Sequence, residues 1–221
     1  MLQWPDGKKI AVAFTFDFDA ETYWTGRDAQ VLSAPGNTMR GEYGAKEGIY
    51  RVLDLLKESQ IKGTFFVPGW VAEKYAQQVA LIHAGGHEIG YHGYLHEQVR
   101  GIAKEEEAAR MAQCEEIMQS ITGRKMVGYR APGGVMHPFT VELLKERNYF
   151  YSSSMKDADS PYIHKINGME SDIVELCSDQ SLDDNTYFFF CLTAPYVRRG
   201  INPPCVMLEC WQRDFAVLKE E

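Results

Sequence analysis

The chain has 221 residues, of which 45% are hydrophobic and 24% are charged, enough to bury the core of one domain. Lys and Arg number 23 against 31 Asp and Glu, so the net charge is -8, and no dense basic run is present to bind a phosphate backbone. The composition therefore predicts a single domain over residues 1–221 and excludes nucleic acid as an expected partner.

The N-terminal residues do not resemble an export signal. The sequence MLQWPDGKKI lacks an apolar stretch and a small-residue cleavage site, and no apolar run of the chain reaches membrane-spanning length. The expected location is cytoplasmic, with no membrane partner. Scattered cysteines predict reduced, mostly buried thiols, with a metal site at the last two as the alternative: Cys114, Cys177, Cys191, Cys205 and Cys210.

Apolar runs alternate with helical patterns along the chain. Apolar residues recur every three or four positions in predicted helices over Ile49–Leu56, Val71–Ile82 and Ile102–Ile121. Short apolar runs predict buried strands: Ile10–Phe16, Thr64–Val67, Glu88–Tyr91, Met126–Tyr129, Tyr149–Ser152, Ile173–Leu176 and Pro204–Glu209. This order predicts an α/β fold, a distorted (β/α) barrel of about seven parallel strands that is closed or incomplete. An open doubly wound sheet is the alternative.

Residues 20–45 form a long predicted loop after the first strand. The loop contains Tyr23, Trp24 and Arg27. Loops at this end of the strands usually shape a substrate site, and aromatic faces stack on sugar rings or planar imides. Trp24 is therefore a candidate substrate contact. A packed surface or a contact in a homo-oligomer is the alternative.

Two carboxylates end the first predicted strand. Asp17 and Asp19 are two residues apart, so strand periodicity directs both side chains to the same side. An acidic loop without chemistry is the alternative, because strand ends are commonly polar.

Two histidines follow the predicted strand Glu88–Tyr91. His92 and His96 are four residues apart, and a helical turn or a compact loop can direct both rings to one ion. Two histidines with one carboxylate suit zinc or another divalent transition metal and leave a coordination position open. Alone, this spacing also fits histidines that bind no metal; His87 is predicted to be structural.

A third cluster ends the strand Met126–Tyr129. Arg130 is predicted to reach the same end of the sheet, where it can hold a carboxylate ionised; an arginine in solvent is the alternative. Tyr129, Pro132 and Gly133 are candidate substrate contacts, and backbone N–H groups near this turn could help hold an oxyanion.

Taken in this order, the three clusters resemble the first three motifs of the polysaccharide deacetylase family, the chitooligosaccharide deacetylase-like carbohydrate esterases. The spacing Asp17-Phe18-Asp19 is similar to that of the subgroup containing cytosolic peptidoglycan deacetylase-like proteins and cyclic-imide and allantoin hydrolases. Further segments resemble that subgroup: Tyr151–Ser154, Asp159–Tyr162, Val174–Leu176 and Leu182–Asp184.

The resemblance implies a role for each residue of the three clusters. Asp19, His92 and His96 would bind a divalent metal, with zinc expected, Asp17 would be the general base, and Arg130 would orient Asp17. The implied activity is hydrolysis of non-peptide amide bonds, foremost the N-deacetylation of an acetylated amino sugar or polysaccharide. A cyclic imide or ureide hydrolase acting on a small soluble substrate is one alternative, and a non-catalytic sugar-binding protein is another.

Two departures from the family pattern carry expectations. Ser152 occupies a position that is commonly an aspartate in the subgroup. The family also has a general-acid histidine on a late strand, whereas His137 and His164 are expected to be structural or surface residues, at the start of a helix and in a loop. The expectation is a chain truncated at its C-terminus that binds metal, hydrolyses amides weakly or not at all, and forms a homo-oligomer.

Overall fold

The structure, a computed structural model, describes residues 4–26, 35–97, 101–191 and 198–220. These residues form two compact units. The larger unit consists of Ala13–Ser154 and Tyr162–Leu176, and the smaller unit holds the described parts of the remaining chain. The single domain over residues 1–221 stays a prediction. No helix among the described residues is long and apolar enough to cross a bilayer.

A seven-stranded, mostly parallel sheet forms the centre of the larger unit, in the order β1-β2-β3-β4-β5-β7-β6. Strand β6 pairs antiparallel with β7, and the other neighbouring strands pair in parallel. This sheet confirms the predicted α/β fold of a distorted (β/α) barrel. The strands are β1 (Thr15–Asp17), β2 (Thr64–Val67), β3 (Glu88–Tyr91), β4 (Gly128–Tyr129), β5 (Tyr151–Ser152), β6 (Tyr162–Ile166) and β7 (Met169–Glu175).

Helices connect the strands of the larger unit, as the alternating pattern predicts. The predicted helix over Val71–Ile82 is two helices, because the backbone breaks at Tyr75 (φ -119°, ψ 40°). The predicted loop over residues 20–45 is partly helical, and its Arg27 lies outside the described residues. The helices are α1 (Thr22–Thr25), α2 (Pro35–Tyr43), α3 (Ile49–Glu58), α4 (Gly69–Lys74), α5 (Ala76–Ala84), α6 (Lys104–Thr122) and α7 (Thr140–Glu146), with a π-helical segment at Gly44–Gly48.

The core of the larger unit lies on both faces of the sheet. Phe65 and Phe66, neighbours on β2, are both fully buried although their side chains project to opposite faces. Covered faces on both sides are typical of parallel sheets, and they place the polar chemistry at the strand ends. On α6, Cys114 is buried as predicted. Cys205 is exposed, so the prediction of a buried thiol is wrong for that residue.

The smaller unit contains α8 (Asn185–Phe188), the strand pair β8 (Phe190–Cys191) and β9 (Arg198–Arg199), and α9 (Pro204–Glu220). The predicted strand Pro204–Glu209 is wrong, because these residues begin α9, where Val206 and Leu208 are exposed. Pro204 stands at the first helical position, where its fixed φ favours a helix. A six-residue apolar run cannot by itself distinguish a strand from a helix.

Candidate active site

Asp17 and Asp19 lie at the carboxyl end of β1. The backbone N–H of Phe18 donates to the carbonyl of Phe66 (2.9 Å), which continues the sheet bonding past the last β1 residue. Phe18 is buried in the core. The extended backbone therefore brings both carboxylates to the same histidine, as the two-residue period predicts.

His92 and His96 belong to a compact loop directly after β3. Gly93 (φ +74°) and His96 (φ +56°) adopt left-handed conformations, so the two rings approach through a tight loop and not through a helical turn. The Nε2 atoms of His92 and His96 lie 3.4 Å from the two carboxylate oxygens of Asp19. One ligand atom from each of these three residues lies within 4.8 Å of the others.

The protonation of His92 suits metal binding. Its Nδ1 lies 2.7 Å from the carbonyl oxygen of Arg130. A carbonyl only accepts, so Nδ1 carries the hydrogen and Nε2 presents a lone pair toward Asp19. Burial lowers the pKa of His92 by more than the charges of Asp17 and Asp19 raise it, so the ring is neutral at neutral pH.

The buried Nε2 of His92 makes no hydrogen bond to any described residue. Two acceptor atoms, this nitrogen and an oxygen of Asp19, thus face each other at 3.4 Å. A cation between them would satisfy both, and carboxylate with imidazole is a donor set that divalent transition metals prefer. Asp19, His92 and His96 therefore form a candidate metal site.

Arg130 follows β4 and binds Asp17. Its Nη1 donates to Asp17 Oδ1 (2.8 Å), and Nη2 donates to the hydroxyls of Thr15 and Ser153 (both 2.9 Å). Its Nε donates to the Ser153 carbonyl (3.0 Å), and the guanidinium lies 4.3 Å from the centre of the Phe66 ring. These contacts rule out an arginine free in solvent, and they hold the group in one orientation.

The charge of Arg130 determines the state of Asp17. Packing around Asp17 removes hydration and raises its pKa, but the guanidinium charge and His92 act in the opposite direction, and the net pKa is lowered. Asp17 is therefore an ionised carboxylate at neutral pH. Its side chain keeps 37% of its surface exposed, so a reacting molecule can reach it.

Glu97 anchors the loop that carries the two histidines. Its carboxylate accepts from the backbone N–H groups of Tyr94 (3.2 Å) and Leu95 (2.5 Å) and pairs with Arg110 (2.9 Å). Tyr94 and Leu95 lie between His92 and His96, so Glu97 restrains the backbone of the histidine loop.

Glu97→Ala is expected to weaken the affinity of the candidate site for added zinc about tenfold, since partners that orient metal ligands typically contribute about 10- to 100-fold. Glu106→Ala is the matched control, because it removes the other carboxylate bound to Arg110 (2.7 Å) without touching the loop. Zinc dissociation constants from chelator competition give the comparison. Equal affinities for the two variants would contradict the anchoring role.

Two of the candidate substrate contacts, Trp24 and Tyr129, are buried. Trp24 is buried in α1 against the ring of Tyr23 (5.2 Å), and Tyr23 in turn lies 5.8 Å from the His96 ring. The Tyr129 side chain is 1% exposed and stacks on Tyr91 (5.5 Å) in the core.

Pro132 and Gly133 lie in the turn after Arg130. The Pro132 ring approaches Gly93 so closely that a Cβ there would meet it at 3.0 Å, and Gly133 adopts a positive φ of +65°. The turn thus packs against the histidine loop. Substrate binding by Trp24, Tyr129, Pro132 and Gly133 stays a prediction.

The two histidines considered for an acid role make local contacts. His137 precedes α7 and stacks on Phe139 (4.6 Å). The prediction that His164 lies in a loop is wrong. His164 lies on β6, where it is buried and its Nε2 lies 2.7 Å from Glu175. Asn167 and Gly168, both with positive φ, form the turn of the β6–β7 hairpin. This Asn-Gly pair is the hairpin signal that the sequence analysis missed.

Thr15 and Ser153 also accept hydrogen bonds from Arg130, which the three clusters do not predict. Thr15 precedes Asp17 by two positions, so strand periodicity would have placed it on the same side.

Two buried histidines and a partly buried aspartate, beside a carboxylate held by arginine, form an arrangement suited to metal-assisted hydrolysis.

Comparisons with known proteins identify the family. The profile of the polysaccharide deacetylase family matches residues 38–151. A peptidoglycan deacetylase from Helicobacter pylori is 30% identical, and the match covers 89% of this chain and 74% of that protein. The chain belongs to the polysaccharide deacetylase family.

Solved structures agree with this assignment. A Mycobacterium smegmatis protein, provisionally assigned as a polysaccharide deacetylase, is 34% identical with a TM-score of 0.91, and the match covers 99% of this chain and 76% of that one. A Puue allantoinase has a TM-score of 0.81 over 99% of this chain and 75% of its own, at 22% identity. The second likeness shows a shared fold and nothing about activity.

Proposed function

We propose that this protein is a metal-dependent N-deacetylase of acetylated amino sugars, as free sugars or within a polysaccharide, with zinc bound by Asp19, His92 and His96. The observation that carries the proposal is the group formed by two buried histidines and the partly buried Asp19 beside Asp17, an ionised carboxylate held by Arg130. Membership of the polysaccharide deacetylase family and the likeness to the H. pylori peptidoglycan deacetylase support an acetamido group as the substrate.

Each residue has a separate task in the proposed reaction. A divalent ion, when bound, supplies a Lewis acid that polarises the acetyl carbonyl. Asp17 accepts a proton from the attacking water, since its carboxylate is ionised and partly exposed. Arg130 keeps that carboxylate ionised and fixes its direction through one hydrogen bond, while three further hydrogen bonds to Thr15 and Ser153 hold the guanidinium itself. The buried position of His92 keeps its ring neutral and able to donate a lone pair.

Metal content and substrate range test this function on one sample. We expect about one zinc per chain after purification without added metal, and loss of turnover on chelation that zinc restores. Among amide-type substrates, turnover should be highest on N-acetylated amino sugars in a panel that also contains cyclic imides and ureides. Preference for imides or ureides would replace the proposed substrate, whereas no metal and no gain of activity with zinc, cobalt or nickel would refute the metal site.

An aryl acetate, assayed beside the amide panel, tests the expectation of weak amide hydrolysis. An aryl alcohol leaves without prior protonation, whereas an amine requires a proton from an acid. A rate on the aryl acetate far above the rate on the N-acetyl amide would support a missing acid. The molar mass of the same sample tests the homo-oligomer.

A further inference from the structure

A series of hydrogen bonds links Arg130 to residues 153 and 154, which follow β5. The guanidinium donates twice to Ser153, once to its carbonyl and once to its hydroxyl. The next residue, Ser154, accepts a hydrogen bond at its hydroxyl from the backbone N–H of Ala131 (2.9 Å). Residues 153 and 154 therefore hold both the side chain of Arg130 and the backbone that follows it.

Glu175, on the neighbouring strand β7, continues this series of hydrogen bonds. It is the last residue of β7 and is 0% exposed. One carboxylate oxygen accepts from the backbone N–H of Ser154 (2.6 Å), and the other lies 2.7 Å from His164 Nε2. A path of consecutive contacts thus leads from His164 through Glu175 and residues 153–154 to Arg130.

We propose that Glu175, supported by His164, is a positioning residue for Asp17: it fixes the backbone at residues 153–154 and through it the guanidinium of Arg130. This inference rests on the proposed function, in which Asp17 is the general base. Burying a polar group removes it from water at a cost in free energy that its hydrogen bonds must offset, whereas an apolar side chain of similar volume has no such cost. A side chain that only filled the space between β5 and β7 would not need to carry a hydrogen-bond acceptor.

Two substitutions of similar size separate the acceptor from the volume. Glu175→Gln keeps an oxygen that accepts from the Ser154 N–H, whereas Glu175→Leu keeps the bulk and removes the acceptor. We expect the Leu variant to lose the positioning and the Gln variant to retain most of it. If Glu175→Leu does not fold, the double variant with His164→Leu removes both members of the hydrogen-bonded pair, leaves neither side chain without its partner, and gives the same test.

The first readout requires no turnover. The Arg130 Nε–H donates to the Ser153 carbonyl, so its NMR signal, assigned by its absence in Arg130→Lys, reports the geometry directly. Exchange of this hydrogen with solvent should become about tenfold faster in the Leu variant and stay near the wild-type rate in the Gln variant. An unchanged exchange rate in the Leu variant would overturn the proposal.

The second readout is a double-mutant cycle in turnover. Glu175→Leu should lower kcat about tenfold with little change in KM or zinc content, because misplacing a reacting group by an ångström reduces the rate by up to about a hundredfold. In an Asp17→Asn background the same substitution should have almost no further effect, since the group that it positions is gone. Effects that multiply in the double variant would overturn the proposal.

A matched control separates positioning from stability. Ile173 lies on the same strand, is also 0% exposed, and belongs to the hydrophobic core. Ile173→Ala should destabilise the fold yet leave both readouts unchanged at a temperature where all variants are fully folded. If it alters both as much as Glu175→Leu does, Glu175 is merely structural. A wild type without any turnover would refute the proposed function alone, and the exchange rate would still decide the role of Glu175.

Discussion

Asp17→Asn is expected to lower turnover by about a hundredfold or more, the usual scale for removing a positioned general base. An amide at this position can still accept the hydrogen bond from Arg130, but it cannot take a proton from water. Zinc content should stay near the wild-type value, because Asp17 lies outside the three-residue group and its nearest approach to His92 Nε2 is 3.7 Å. Steady-state kinetics and elemental analysis of the same preparation check both parts.

Asp19→Asn is the matched comparison, since it makes the same chemical change two residues away. Asp19 faces both His92 and His96 at 3.4 Å, so its substitution should weaken zinc binding, and added zinc should restore part of the activity. Excess zinc should not rescue Asp17→Asn. If both variants lost zinc to the same extent, the assignment of separate tasks to the two carboxylates would be wrong.

Strand periodicity alone predicts that the two carboxylates of this site lie together. A period of two places Asp17 and Asp19 on one side of the strand, and the structure brings both to His92. The order of strands and helices likewise predicted a mostly parallel sheet with its chemistry at the carboxyl ends. These features depend on local repeats, so the sequence contains them directly.

Contacts between residues distant in the chain could not be predicted in this way. Arg130 and Asp17 are 113 positions apart. The sequence predicts that Arg130 holds a carboxylate at this end of the sheet, and only the family resemblance implies that this carboxylate is Asp17. The link from Glu175 to Ser154 depends on the register between β5 and β7, which no pattern in either segment specifies. The prediction of a strand over Pro204–Glu209 is wrong for another reason. An apolar run shorter than two helical turns has no distinct period, so it does not distinguish a strand from a helix.

Gly26→Ala is expected to weaken zinc affinity about a hundredfold, although Gly26 is not a candidate ligand. The residue ends α1, and a Cβ there would lie 2.1 Å from the carbonyl oxygen of Leu95 and 2.6 Å from that of His96. Ordinary contacts are 3.4–4 Å, so the backbone of the histidine loop would have to move by about 1 Å. Displacing one ligand this far separates it from the other two, and metal affinity depends on all three.

The backbone at Gly26 has φ -67°, which alanine adopts without strain, so the expected loss arises from the lack of space alone. Gly44→Ala is the control, because nothing lies within 4 Å of a Cβ at that position, and it should bind zinc within about twofold of the wild type. Chelator competition gives the dissociation constants, and thermal unfolding verifies that both variants are folded at the assay temperature. Wild-type zinc affinity in folded Gly26→Ala would show that the turn after α1 does not set the position of His96.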